Sequence, residues 1–254
     1  MQKKKRDWKK IISTVIFVSF AAPIAYLVFK IITTTNDVMP NADDVRVRSD
    51  YVLMLLQCVL GIIAMCIPSF LRKKFKIEIP NNMYYFYIIF LYAAIFLGEI
   101  QDFYYKIKYW DLILHTLSGV MIGFLGFSMV DILNKENENV QLNAFFVAFF
   151  AFCFAMTLGG IWEMYEFASD SILGTNMQKF ALRNGILLSG QDALADTMED
   201  IIVDGIGALV ASTIGYISLK YQTTLLNSLK LKIHKKQNTE EKKKGGTDET
   251  AHLK

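Results

Sequence analysis

The sequence predicts an all-α polytopic membrane protein, a bundle of six transmembrane helices with both termini in the cytoplasm. Of the 254 residues, 53% are hydrophobic and 20% are charged, a balance too apolar for an ordinary soluble domain. The apolar residues are gathered in six long runs. Basic residues lie mostly on one side of the topology that these runs define, as expected for a membrane protein.

Each apolar run has about the 17–25 residues that a helix needs to cross a bilayer. We therefore predict a membrane domain over residues 11–220, with spans at residues 11–32, 51–71, 83–100, 112–133, 142–162 and 201–219. Pro23 is expected to kink the first span, which neighbouring helices can accommodate. That span is longer than the apolar region of a signal peptide, so a retained anchor is favoured over a cleaved signal.

Basic residues set the orientation of the predicted bundle. Most of the 27 lysines and arginines lie in residues 1–10, in the loop after the second span, or from Lys220 onward. With six spans these segments share one side, which the positive-inside rule makes cytoplasmic. The basic, polar tail over residues 221–254 is expected to be largely disordered. Residues 171–191 are too short to span and are predicted to form an outer lid or loop, or an interfacial or re-entrant segment.

Acidic residues recur at helical spacing where the spans meet the outer face. Asp111 and His115 are four residues apart at the start of the fourth span. Three acids follow the fifth span and four precede or enter the sixth: Glu163, Glu166, Asp170, Asp192, Asp196, Asp200 and Asp204. Spacings of three, four and seven residues place side chains on one helix face. We predict that these faces pack into an outward-facing carboxylate cluster with one histidine.

Such a cluster indicates chemistry, because carboxylates are costly inside a membrane. A charged residue at the centre of a spanning helix costs about 2.5–3.5 kcal/mol on insertion scales. Like charges in a low-dielectric site must take up protons, pair with a base or bind a cation. Oxygen ligands suit Mg²⁺, Ca²⁺ or Mn²⁺, whereas a mixed histidine and carboxylate site admits Mn²⁺, Fe²⁺ or Zn²⁺. The candidate ligands of such a divalent metal are Glu163, Glu166, Asp200, Asp204 and His115.

A simpler interpretation assigns these acids no chemistry. Acids stabilise the N-terminus of a helix through the helix dipole, and others lie where a helix extends into water. This explains Asp111, Asp192 and Asp196 better than Asp200 and Asp204, which begin or lie within an apolar span.

The order of these residues resembles a known family. The motifs are Asp111-x3-His115, Trp162-Glu163-x2-Glu166-x3-Asp170 and Asp196-x3-Asp200-x3-Asp204-x2-Gly207, with Leu97-Gly-Glu-Ile-Gln-Asp-Phe-Tyr-Tyr upstream. Over roughly residues 83–220 the chain resembles the YjdF-type family of bacterial inner-membrane proteins, and more remotely it is similar to VanZ-like proteins. Asp204 stands where the VanZ pattern usually has asparagine, and Glu166 where it often has glutamine. The resemblance implies a location in the bacterial cytoplasmic membrane and no particular activity.

Three functions remain open. The first is a membrane enzyme, with or without a divalent metal, that acts on a lipid-linked or envelope substrate. Its catalytic candidates are Asp111, His115, Glu163, Glu166, Asp170, Asp196, Asp200 and Asp204, and Arg183 is a candidate to bind an anionic substrate or to neutralise part of the cluster. The second is a proton- or cation-coupled transporter, in which the acids bind the coupling ion. The third is a non-catalytic envelope or stress protein. The expected partner is the lipid bilayer, with no nucleic acid, and the oligomeric state is open.

Overall fold

Six long helices dominate the structure, a computed structural model that describes residues 7–34, 46–136, 142–223 and 231–233. Each of the six is long and apolar enough to cross a membrane: Trp8–Thr33, Arg48–Phe75, Asn81–Ile100, Trp110–Asn134, Ala144–Leu173 and Gln191–Lys220. The predicted all-α bundle with six spans is therefore confirmed.

The first and third spans each change helical geometry along their length, and the sequence predicted only the change in the first. As expected from Pro23, the first span divides into α1 (Trp8–Ala21) and α2 (Pro23–Thr33). The second is the continuous helix α3 (Arg48–Phe75). The third begins as α4 (Asn81–Leu91) and continues as a π-helix (Tyr92–Ile100). Hydrophobic runs carry no signal for that change in hydrogen bonding, and π-helical turns are frequent at functional sites.

The last three spans are α6 (Trp110–Glu136), α7 (Ala144–Leu173) and α8 (Gln191–Lys220), after the short α5 (Phe103–Lys106). Both α7 and α8 extend well beyond the predicted spans, because the acids that we took to mark helix ends are themselves helical. The segment between α7 and α8 is correspondingly shorter than residues 171–191, and its role as an outer lid remains a prediction. It runs from residue 174 to residue 190 and contains a narrow turn closed by the bridge between Ala181 and Leu187.

The helices pack as two groups. In the first group, α1 to α4 and the π-helix enclose a core that includes Phe20, Leu27 and Ile88. In the second, α6, α7 and α8 pack closely on one another around Phe127 and Val147. The acids of the predicted cluster belong to the second group.

A short strand pair joins the segment after the second span to the segment after the last span. Strand β1 (Ile77–Glu78) follows α3, and it pairs antiparallel with β2 (Lys232–Ile233), which lies beyond α8. The loop after the second span and the start of the tail therefore lie on the same side of the helices, as the predicted topology requires. The remainder of the predicted basic N-terminus and tail lies outside the described residues, at residues 1–6, 224–230 and 234–254.

Candidate functional site

His115 is the centre of the candidate site. It lies on α6, is 7% exposed, and meets carboxylates from two helices. Its Nδ1 lies 3.3 Å from Oδ2 of Asp204, and its Nε2 lies 3.7 Å from Oδ1 of Asp111 and 3.7 Å from Oδ2 of Asp200. Asp111 and His115 on α6 are four residues apart, as are Asp200 and Asp204 on α8, so each helix directs two polar side chains of one face at this point. The structure therefore brings together the two faces that the sequence paired.

The Asp204 carboxylate fixes the orientation of the imidazole. Ser118 donates a hydrogen bond of 2.8 Å to Oδ1 of Asp204, while Oδ2 faces Nδ1 of His115. An ionised carboxylate only accepts hydrogen bonds, so a neutral His115 carries its proton on Nδ1. The lone pair of Nε2 then faces Asp111 and Asp200. Ser118 was not predicted, although its position three residues after His115 places it on the same helix face.

Two glycines allow the helices to approach closely enough for this contact. A Cβ atom on Gly119 would lie 2.3 Å from the main-chain oxygen of Asp204, and one on Gly207 would lie 2.2 Å from the main-chain oxygen of Thr116. Any side chain at either position would push α6 and α8 apart. The polar cluster is consequently built on a contact between two helix backbones.

Helix α7 adds two glutamates to the cluster. Glu163 and Glu166 are 5% and 6% exposed, and Asp200 is 1% exposed. Both carboxylate oxygens of Glu163 and of Asp200, and Oε2 of Glu166, have no hydrogen-bond partner among the described residues. His115 offers one ligand atom within 4.8 Å of both glutamates, and also one within 4.8 Å of both Asp111 and Asp200. A buried carboxylate without a partner is costly, which makes this cluster a candidate site for a cation or for bound protons.

The negative charge of the cluster exceeds its positive charge. The described residues bring six carboxylates and one lysine together here: Asp111, Glu163, Glu166, Asp196, Asp200, Asp204 and Lys179. Lys179 donates to Asp111 and, at 2.9 Å, to Oδ1 of Asp196. Burial alone lowers the pKa of Lys179, but these two carboxylates outweigh it and hold the pKa above its ordinary value. The other four carboxylates are left with His115, and they cannot all be ionised without a further cation.

Two basic residues of the loop between α7 and α8 pair with acids, Lys179 with the cluster and Arg183 with Asp102 outside it. Lys179, which the sequence analysis did not single out, comes from this loop. Arg183, predicted to bind substrate or neutralise the cluster, donates to Asp102 and lies 4.4 Å from the ring of Tyr105. Burial lowers the pKa of Arg183, and the Asp102 carboxylate more than offsets this. The substrate-binding role of Arg183 remains a prediction.

Asp170 lies apart from the other predicted acids. Its carboxylate accepts hydrogen bonds from the hydroxyl of Thr175 at 2.7 Å and from the main-chain N–H groups of Met177 and Gln178 at 2.7 and 2.9 Å. The seven-residue spacing from Glu163 keeps it on the same helix face, but two turns farther along, where α7 ends. The structure gives Asp170 the position of an anchor for the loop, and its predicted catalytic role remains a prediction.

A cavity of about 340 Å³ lies between the two helix groups and reaches the cluster. Its polar end is lined by acids and bases of both groups: Arg46, Asp50, Glu99, Asp102, Asp111, His115, Glu166, Lys179, Arg183 and Asp204. Its other end is lined by apolar residues of α3, the third span, α6 and α7. The candidate site is therefore the polar end of an amphipathic cavity.

Comparison with known proteins identifies a family for this arrangement. The family model described as predicted membrane protein (DUF2238) matches residues 24–221. A Thermotoga maritima protein described as uncharacterized is 30% identical over 129 residues, which cover 50% of this chain and 57% of that protein. No solved structure matches the chain. The family match agrees with the YjdF-type resemblance, and the VanZ-like resemblance remains a prediction.

Proposed function

The chain belongs to the DUF2238 family of predicted membrane proteins, and we propose that it is a membrane-embedded enzyme whose His115 cluster holds a divalent cation. Its substrate would be a lipid-linked or other envelope molecule. The bacterial cytoplasmic membrane, with the termini inside and the cluster facing outward, is part of the proposal. The basic residues at the termini and after the second span support that orientation.

The observation that carries this proposal is the set of unpartnered carboxylate oxygens on Glu163, Glu166 and Asp200. All three side chains are at least nine-tenths buried and lie around the same imidazole. A divalent cation would neutralise two carboxylates and satisfy their oxygens, which removes the cost of burying them. The same oxygens are hard ligands that such cations prefer.

The distances suit a cation. Metal–ligand bonds of about 2.0–2.6 Å place two ligands of one ion at most about 4–5 Å apart. Ligand atoms lie within 4.8 Å of one another in each of two groups, His115 with Asp111 and Asp200, and His115 with Glu163 and Glu166. Asp204 supports the same assignment, because a histidine that binds a metal through one nitrogen usually donates the other N–H to a carboxylate. Asp204 is then a positioning residue, and the candidate ligands are His115, Glu163, Glu166, Asp200 and Asp111.

A bound cation would polarise an oxygen of the substrate or lower the pKa of a bound water. Those carboxylates of the cluster that are not ligands would transfer protons. Lys179 neutralises Asp196, which is not a candidate ligand, and offsets part of the charge of Asp111, so less negative charge is left for the cation to balance.

The packing favours an enzyme over an ion-coupled carrier. The candidate ligands all lie on α6, α7 and α8, and two glycines hold α6 and α8 in backbone contact. A rigid bundle keeps catalytic groups in fixed geometry, whereas carriers place the ion site between parts that move against each other.

The test is the metal content of the purified full chain. We expect about one bound Mn²⁺, Fe²⁺ or Zn²⁺ per chain by plasma mass spectrometry after equilibration with each ion. Glu163→Gln and Asp200→Asn should lose it. Glu199→Gln, an exposed neighbour of Asp200 on α8, should retain it.

Two results would overturn the proposal. One is a wild-type chain that binds none of the three ions above the level of the Asp200→Asn variant. The other is transport of protons or sodium into proteoliposomes that depends on Asp200 and not on a bound transition metal, which would establish the carrier.

A further inference from the structure

The cavity is elongated, and its apolar part forms an arm that leads away from the polar end. On α3 the lining residues of the whole cavity run from Asp50 to Ala64, a separation of 14 positions or about 21 Å along a helix. The whole cavity has a volume of about 340 Å³.

Polarity changes along the arm in the same way on two antiparallel helices. On α3 the lining begins with Asp50 and ends with Leu60, Gly61 and Ala64. On the third span, which runs the other way, it begins with apolar residues at Phe90 and ends with Glu99. Both walls are therefore charged beside the His115 cluster and apolar at the far end, so the gradient belongs to the cavity and not to one helix.

We propose that this cavity binds a lipid with one hydrocarbon chain, whose chain lies in the arm and whose phosphate headgroup lies at the cluster. A single apolar arm suits a single chain, because a second chain would need a second arm. Three basic side chains line the polar end, and carboxylates hold them in place: Arg46, Lys179 and Arg183. Because carboxylates outnumber these bases at the polar end, the phosphate would also need the bound cation, and this part of the inference rests on the proposed function.

The test uses a monoacyl glycerol phosphate with a diazirine near the end of its chain. After irradiation with the purified, Mn²⁺-loaded full chain, we expect cross-links on α3 near Leu60 and Ala64 and on the third span near Phe90 and Ala94. The unlabelled monoacyl lipid should compete, whereas glycerol phosphate should not. A two-chain phosphatidic acid with the same diazirine should leave the arm unlabelled.

A matched pair of variants separates the arm from the lipid-facing surface. Leu60 lines the arm, whereas its neighbour Val59 is exposed and does not line it. Leu60→Trp should reduce labelling of the arm about tenfold or more, and Val59→Trp should leave it unchanged. Ala94→Phe fills the opposite wall and repeats the test if Leu60→Trp does not fold.

Metal content measured on the same samples separates the two proposals. If the wild-type chain holds its metal but the arm is unlabelled, or the two-chain lipid labels it equally, the chain-binding inference is wrong and the enzyme proposal stands. If the arm is labelled and Leu60→Trp blocks it while no metal is bound, the inference about the chain stands and the metal proposal is wrong.

Discussion

Nδ1 of His115 lies 3.3 Å from Oδ2 of Asp204, a contact that joins α6 to α8 across 89 positions of sequence. Ser118 holds the other oxygen of the same carboxylate at 2.8 Å. The imidazole is consequently oriented from one side, and its other nitrogen is left to face Asp111 and Asp200.

Removing the charge of Asp204 is expected to weaken metal binding without removing a ligand. Asp204→Asn no longer fixes which nitrogen of His115 carries the proton, and loss of such a partner typically costs 10–100-fold in metal affinity. A titration of the metal-free chain with Mn²⁺ measures this. Asp192→Asn, at an exposed position in the first turn of α8, is the control. Equal Mn²⁺ affinities for the two variants would contradict the positioning role of Asp204.

Gly119→Ala is expected to destabilise the α6–α8 contact. The added Cβ would lie 2.3 Å from the main-chain oxygen of Asp204, and overpacking of this kind costs about 1–3 kcal/mol. We expect a lower Tm in detergent and a weaker metal site. Gly160→Ala is the control, because a Cβ on Gly160 meets nothing within 4 Å. Equal Tm values for the two variants would show that the α6–α8 contact tolerates a side chain at position 119.

Asp170→Ala is expected to release the loop over residues 174–190. The loop loses a carboxylate that accepts three hydrogen bonds, and each hydrogen bond to a charged group contributes about 1.5–3 kcal/mol. Faster hydrogen exchange should appear at the amides of Met177 and Gln178. Ser171→Ala, at the exposed neighbouring position, should leave both amides protected. If Asp170→Ala instead abolished activity with normal protection of the loop, the predicted catalytic role would be supported.

Lys179→Met is expected to lower stability by about 1.5–3 kcal/mol, because a cation that donates to two carboxylates is lost. The pKa of Lys179 is raised in the folded chain. Its contribution is therefore complete below its unfolded pKa of about 10.4 and is lost only as the pH rises through the folded value. The Tm difference from wild type should accordingly be as large at pH 9 as at pH 7. Lys108→Met, at an exposed position, is the control, and a difference that disappears by pH 9 would contradict the assignment.

The sequence predicted which helix faces meet at the site better than it predicted where the helices end. Asp111 with His115 and Asp200 with Asp204 have a periodicity that survives in any helix, so their faces could be matched before the structure. The ends of α7 and α8 could not be predicted, because a span that is recognised by its apolar residues stops at the first acidic residue. Here those acids are buried against other helices and the helices continue.

Other features carried no usable signal in sequence. The partners of Lys179 lie 17 and 68 positions away, and a loop lysine is ordinarily solvated. The anchoring role of Asp170 depends on how the following loop folds back. The π-helix depends on hydrogen-bond register, which an unbroken apolar run from Tyr92 to Leu97 does not reveal.

The pairing of β1 with β2 restricts the number of times that the chain between them can cross the bilayer. Glu78 and Lys232 are paired residues, so the chain between them crosses the bilayer an even number of times. Four spanning helices lie in that interval. If the short third span lay along the surface, another of the four would also have to stay out of the bilayer. Accessibility labels placed at residues 78 and 232 must therefore report the same compartment, whatever the orientation of the whole.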